Sequence, residues 1–403
     1  MDLKELFRIP SPYADHYLGY SVIRNMPNRC LGRTVIDPWR IGRGICEGCY
    51  LLRTKQKVHI GGFPFAVEGY PYMSQDAEAT VCAHACLWGM CRYLSERYSA
   101  YRELYPFDLV DLTEEREGRT YPSRGMTYSD YCKILSSFGC FPVTMRMSGG
   151  QGSGFRATEE FKDLCTYVES GFPVLASLRG NRGTGHVVSL IGHTIAYGQP
   201  LAVGEMFVDS STFWDYFIVV DDNNFPYAKL GSKSSAENHR SFERNGYSID
   251  TIMTAVCPLP EKVFMAPQDA RRKGRRYFAE VQSRNYLPDN GTPQWITRLF
   301  LTTGSSFQRR RIMNAAASDR ISNSLFQIRF PHFVWVMEIG TVESYRDRQS
   351  CVGEIVLDAT AGMWEEGRIY ARIGADFHVG DEYANVSSAP VEFKQFTHNL
   401  GEV

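Results

Sequence analysis

Cys82, His186, the acids Asp221 and Asp222, and Gln75 are the residues whose types and order could do chemistry together. Cys82 falls at the start of a helical stretch, where unpaired backbone N–H groups and the helix dipole favour negative charge. The thiolate is the nucleophilic form of a cysteine, and a helix start is one place that stabilises it. His186 opens a strand directly after Gly185, in the run Gly183-Thr184-Gly185-His186-Val187-Val188. The small residues ahead of it leave room for a substrate, and the strand would hold the ring rigid. An imidazolium beside a thiolate stabilises the ion pair and then returns a proton to a leaving group. Asp221 and Asp222 end the next strand, ahead of Asn223 and Asn224, where a carboxylate can hold the far ring nitrogen and fix its tautomer. Gln75 lies in the loop before Cys82, and its amide can join a backbone N–H in an oxyanion hole, each such donor being worth about 3–4 kcal/mol.

Each of these residues alone has an ordinary explanation. A free cysteine is often a small buried apolar residue, and acids after a strand are common turn formers. The order carries the argument: Gln, then Cys at a helix start, His at a strand start, and an acid at a strand end.

Positioning these groups requires helices first and a sheet second. Few breakers interrupt Ala79 to Tyr98, where Cys86, Met90, Tyr93, Leu94 and Arg97 recur at helical spacing; Thr80 is a candidate cap and Gly89 the weak point. Further helices are predicted over Tyr128–Phe138, ending at Gly139, and over Thr158–Glu169, capped by Thr158. Met147 to Phe155 reads as a Gly/Ser-rich loop. Strands are predicted at 173–178, 186–191 and 216–220, and a hairpin at Tyr50–Arg53 and 58–60 around polar Thr54–Lys57. After Pro260 the pattern resets, to a basic helix over 267–284 and a β-rich tail including 333–339 and 353–357. The fold class is α+β, with an N-terminal β-rich extension over 1–70, a catalytic domain over 71–265, and a C-terminal region over 266–403.

Composition fits ordinary globular cores: of 403 residues, 43% are hydrophobic and 22% charged. The formal net charge of -1 gives no global reason to expect nucleic acid or an anionic membrane. The basic runs at Arg271–Lys273 with Arg275-Arg276, and at Arg309–Arg311, read as solvated faces. The first residues lack a basic segment leading into an apolar core, and no apolar run reaches the roughly 18 residues that span a bilayer. The expectation is a cytoplasmic protein, whose eleven cysteines are thiols, ligands or catalysts rather than disulfides.

The chain resembles the papain-like cysteine peptidase superfamily, in layout the bacterial branch that includes bacteriocin-leader-processing peptidases. The resemblance covers roughly residues 70–260. It rests on Gln75 through Met90, Gly125-Met126-Thr127 before a helix ending at Gly139, Gly171-Phe172-Pro173-Val174, Gly185-His186-Val187-Val188, and Ile218-Val219-Val220-Asp221-Asp222. It implies a papain-like fold, a Cys82–His186 ion pair, an orienting acid and an oxyanion-hole Gln75. Asp222 is preferred as the acid, because it falls where the family's Asn or Asp follows the strand. Ala83 stands where a Gly often follows the nucleophile, and Gln75 is one residue further from Cys82 than is usual.

Zinc is a rival use of the same cysteines. Cys46 and Cys49 form a Cys-x-x-Cys pair, and Cys82 with Cys86 would complete four ligands. Cys82 and His84 lie about 200° apart around a helix and cannot share an ion. His193, seven residues along the strand from His186, should face the other way and be structural. The expected function is a cysteine peptidase or isopeptidase, needing no cofactor or metal, acting on a peptide or protein, with a ubiquitin-like or other protein as a further partner. The same chemistry also serves a transglutaminase or deamidase-type acyl transferase, and an inactive domain of this fold would be a protein-binding module.

Overall fold

Alternation of buried and exposed residues sets the first part of the chain. The computed structural model describes residues 14, 16–26, 29–40, 48–75, 82–113, 126–147, 155–196, 205–224, 226–233, 238–285, 295–313, 319–346, 350–362, 364–365, 367–374, 376–379, 382–385, 393–397 and 399–402. Among the described residues, the first strands are β1 (Gly19–Ile23), β2 (Leu31–Ile36), β3 (Cys49–Leu51), β4 (Thr54–Ile60) and β5 (Phe63–Gly69). β1 pairs with β2 and β4 with β5, both antiparallel. The hairpin expected around Thr54–Lys57 is not formed, because β4 runs straight through these residues. Thr54 and Gln56 are buried while Lys55 and Lys57 are exposed, which is a strand's period of two. The turn falls instead at Gly61 and Gly62, with φ of 58° and 88°. Two successive positive φ values make the turn whose twist suits a two-residue hairpin, and glycine adopts them without a clash.

The described helices that follow are α1 (Cys82–Arg97), α2 (Pro106–Thr113), α3 (Tyr128–Phe138) and α4 (Glu159–Glu169). α1 is apolar on nearly every side and is accordingly buried from Ala83 through Cys91. At Gly89 the chain passes so close that an added Cβ would meet the Pro71 carbonyl oxygen at 2.9 Å. The expected cap Thr80 and the expected loop at 148–154 lie outside the described residues. α3 starts where Asp130 accepts from the Thr127 N–H at 2.7 Å, and it ends at left-handed Gly139. α4 starts at Thr158, whose hydroxyl accepts from the Phe161 N–H at 3.3 Å.

The sheet that α1 packs against is built from β6 (Phe141–Arg146), β7 (Val174–Arg179), β8 (Gly185–Ile195), β10 (Trp214–Val220), β11 (Ala228–Leu230) and β12 (Ile252–Leu259), with β9 (Phe207–Asp209) between β8 and β10 in the chain. Its order is β11-β10-β8-β7-β12-β6, antiparallel throughout. Val187 and Ile191 of β8 pack with α1, while Val188 and Leu190 face a second core on the other side. The chain is thus an α+β protein. Among the described residues no helix is long and apolar enough to cross a membrane.

Beyond residue 265, α5 (Pro267–Asn285) leads to β13 (Trp295–Thr303), α6 (Gly304–Ile312), α7 (Asp319–Gln327), β14 (Phe333–Gly340), β15 (Gly353–Asp358), β16 (Arg368–Ile373), β17 (Asp376–Val379), β18 (Glu382–Asn385) and β19 (Gly401–Glu402). β13 to β18 form a second sheet in sequential order, and its far edge is β9, running parallel to β13. β19 instead pairs with β3, which pairs with β8. The two sheets also share one apolar core, to which Val174 and Leu190 of the first and Trp335 and Met337 of the second belong.

A buried chain of charges ties the halves together. His193 Nε2 lies 2.8 Å from Glu169, Glu169 lies 2.5 Å from Arg298, and Arg298 lies 2.7 Å from Glu338. Arg311 then bridges Glu338 and Glu354 at 2.7 Å each. Every member is 3% exposed or less. Arg271, equally buried, is held by Glu159, Asp163 and Asp209. The reading of both basic runs as solvated faces therefore fails for Arg271 and Arg311. Their acidic partners lie far away in sequence and are brought to them by the fold.

Candidate active site

His186 is the second residue of β8, paired across the ladder with Leu178 of β7. Its Nε2 lies 2.8 Å from Asp221 Oδ1 and 3.9 Å from Asp222 Oδ1. With Nε2 committed to Asp221, Nδ1 is the nitrogen left for sulfur. Cys82, half-buried and the first described residue of α1, lies close enough to the ring to help raise its pKa. Tyr247 lies against the imidazole, with ring centroids 5.4 Å apart. An added Cβ at Gly183 or Gly185 would meet nothing within 4 Å, so the approach beside His186 is open.

Asp221 follows β10 in a turn that it organises itself. Its Oδ1 also accepts from the Asn223 N–H at 3.0 Å, and its Oδ2 accepts from the Asn224 side-chain amide. Burial works against its charge, but the His186 hydrogen bond and these amide donors outweigh burial and hold its carboxyl below the usual range. Burial likewise opposes charge on His186. The Asp221 hydrogen bond, the nearby Cys82 side chain, and the charges of Asp221 and Asp222 overcome it and hold the imidazole pKa well above its ordinary value.

Asp222 differs from its neighbour. It is 1% exposed, and neither side-chain oxygen has a hydrogen-bond partner. Burial pushes its carboxyl up to about 7, with Asp221 adding to the rise and His186 and Arg29 opposing it. The preference for Asp222 as the orienting acid is therefore corrected by the geometry. The turn after β10, closed by the Asn223 and Asn224 hydrogen bonds, directs Asp221 at the ring.

Gln75 reaches the same turn, where its Nε2 donates to Asn223 Oδ1 at 2.9 Å. The structure thus brings Gln75 to the acid loop, and its described hydrogen bond is not to Cys82. Tyr247 and Arg29 carry no sequence signal, since each arrives from a distant turn. Asn223 and Asn224 were visible only as polar turn residues.

His193 is fully buried, bonded to Glu169 and stacked on Trp214 with centroids 3.6 Å apart, a structural role. Zinc shared by Cys49, Cys82 and Cys86 is excluded by placement. Cys86 sits at the Val187 carbonyl, whereas Cys49 pairs with Thr194. Seven strand residues separate those points, about 23 Å. Cys46 lies outside the described residues. His186, Asp221 and Asp222 form a compact donor cluster. Its closest pair, at 2.8 Å, has hydrogen-bond spacing, and a tetrahedral ion with bonds of about 2.0–2.2 Å would need its ligands farther apart. In the Glu338–Cys351–Glu354 cluster, Arg311 already supplies the cation.

No family model, curated protein or solved structure matches this chain. The chemistry must be argued from the site itself. A sulfur at a helix start, an imidazole kept protonated beside it, and a carboxylate behind that ring form a nucleophile–base–orienter set suited to acyl transfer.

Proposed function

We propose that this chain is a papain-like cysteine hydrolase that cleaves an amide bond in a peptide or protein. The observation that carries the reading is the convergence of Cys82 and Asp221 on His186, whose pKa both raise, with Nε2 held at 2.8 Å from Asp221. The Cys82 thiolate attacks the carbonyl carbon and forms an oxyanion. Collapse of this intermediate breaks the C–N bond, and the His186 Nδ1–H gives its proton to the departing amine. The neutral ring then takes a proton from water, which attacks the thioester and releases the acid. Thiolate and imidazolium are restored. Asp221 keeps Nε2–H bound throughout and so keeps Nδ1 facing the sulfur. Backbone N–H groups at the start of α1 meet the oxyanion, and Gln75 retains a second N–H for the same purpose. The scheme needs no metal or organic cofactor. None of the ten described cysteines forms a disulfide, which suits a cytoplasmic enzyme.

The test is a set of electrophilic probes carrying peptide or ubiquitin-like tails. Labelling should map to Cys82 and disappear in Cys82→Ala and His186→Ala, with circular dichroism unchanged. Equal labelling in His186→Ala would show that no ion pair activates the sulfur. The preferred tail reports the substrate class.

A further inference from the structure

A buried carboxylate without a hydrogen bond is costly, because both oxygens have given up water for nothing. Asp222 is such a group, and it adjoins the Cys82–His186 pair. Packing does not explain it, since an apolar side chain would fill the space without the penalty. Orientation of the ring does not explain it, since Asp221 already holds Nε2. Direct contact with substrate does not explain it, since the side chain is 1% exposed.

What Asp222 faces is charge. His186 approaches it from β8, Asp221 from its own loop, and Arg29 from the turn between β1 and β2. Cys86 on α1 and Tyr72 beyond β5 are further titratable groups in its field. Burial raises the pKa of both Cys86 and Tyr72, so they stay neutral as Asp222 ionises. The partner that changes charge within the reaction is His186.

We infer that Asp222 is an electrostatic positioning residue, a second carboxylate facing the same imidazole nitrogen as Asp221, whose own ionisation sets how tightly His186 holds its proton. This rests on the hydrolase reading above. When Asp222 is neutral, Asp221 alone opposes the imidazolium and the ring gives its proton to the leaving amine more readily. When Asp222 loses its proton to solvent, the second anion strengthens the ion pair and slows that donation. Its carboxyl titrates near 7, so the change falls within an ordinary working range.

The test follows the imidazole nitrogens of His186 by NMR across pH in the full chain, assigned by their loss in His186→Gln. In the wild type the trace should bend near pH 7 as Asp222 ionises, ahead of the main midpoint. Asp222→Asn should abolish the bend and lower the main midpoint by about 1–3 pH units. An unchanged midpoint overturns the inference. So does a wild-type trace with no bend, which decides the matter even if the variant fails to fold. Cys82→Ala separates the two readings. If it shifts the His186 midpoint while Asp222→Asn does not, the ion pair stands and this inference alone falls. If Cys82→Ala has no effect, the hydrolase reading falls and takes this inference with it.

Discussion

Replacing Asp221 probes the site most directly. Its carboxylate serves three donors, His186 Nε2, the Asn223 N–H and the Asn224 amide. A hydrogen bond to a charged group contributes about 1.5–3 kcal/mol. Losing the one to His186 in Asp221→Ala should slow Cys82 labelling by roughly 10- to 150-fold. Release of the ring to rotate would add to this loss. Asp221→Asn keeps an acceptor oxygen for Nε2–H and loses only the charge. Neutral hydrogen bonds are about half as strong, so it should cost about 0.8–1.5 kcal/mol, or roughly 4- to 13-fold. The assay is the second-order rate of Cys82 modification by a peptidyl electrophile, read by intact mass. The order expected is wild type, then Asp221→Asn, then Asp221→Ala. If Asp221→Ala reacts at the wild-type rate while Asp222→Ala does not, Asp222 is the orienting acid after all.

Other outcomes follow from the same geometry. Asp222 stays protonated in the folded chain up to about pH 7, whereas in the unfolded chain it ionises near pH 4. The native state therefore binds the extra proton between those values, and stability falls as pH rises through that window. Asp222→Asn should stabilise the protein by about 2–4 kcal/mol at pH 8 and by almost nothing at pH 4; an equal gain at both values in urea melts would contradict the assignment. Arg298→Met strands Glu169 without its guanidinium and should cost about 3–5 kcal/mol in denaturant unfolding; a loss below 1 kcal/mol would mean that water reaches the network. Gly192→Ala sets a Cβ 2.0 Å from the Tyr50 carbonyl oxygen, so β3 must part from β8 and the melting temperature should drop sharply; an unchanged melt would contradict that close approach.

Much of this arrangement was legible because it is locally encoded. α3 and α4 begin and end at Thr127, Gly139 and Thr158, whose side chains or backbone freedom act within one turn. The strands around His186 and before Asp221 are apolar runs that only a buried sheet accommodates. The misplaced hairpin shows the limit of composition, since Thr54–Lys57 are polar but alternate, and the paired glycines after Ile60 were the better signal. The choice between Asp221 and Asp222 was beyond reach, because the turn that aims one carboxylate depends on hydrogen bonds from Asn223 and Asn224. The buried arginines were hidden for a different reason. Arg271 meets Asp163 and Arg298 meets Glu169 across more than 100 residues of chain, and no local pattern announces such a meeting.

The charge chain between the sheets has a further meaning for how this molecule can be divided. A fragment limited to 71–265 would carry Glu169 and Asp209 stripped of their arginines, and β9 without the neighbour it runs beside. Both are wounds that water or a swapped copy must fill. The portion bearing Cys82 and His186 is thus not a cassette that can be lifted out or grafted. Any lineage that kept the chemistry while discarding the second sheet would first have had to rewrite the residues buried beneath it.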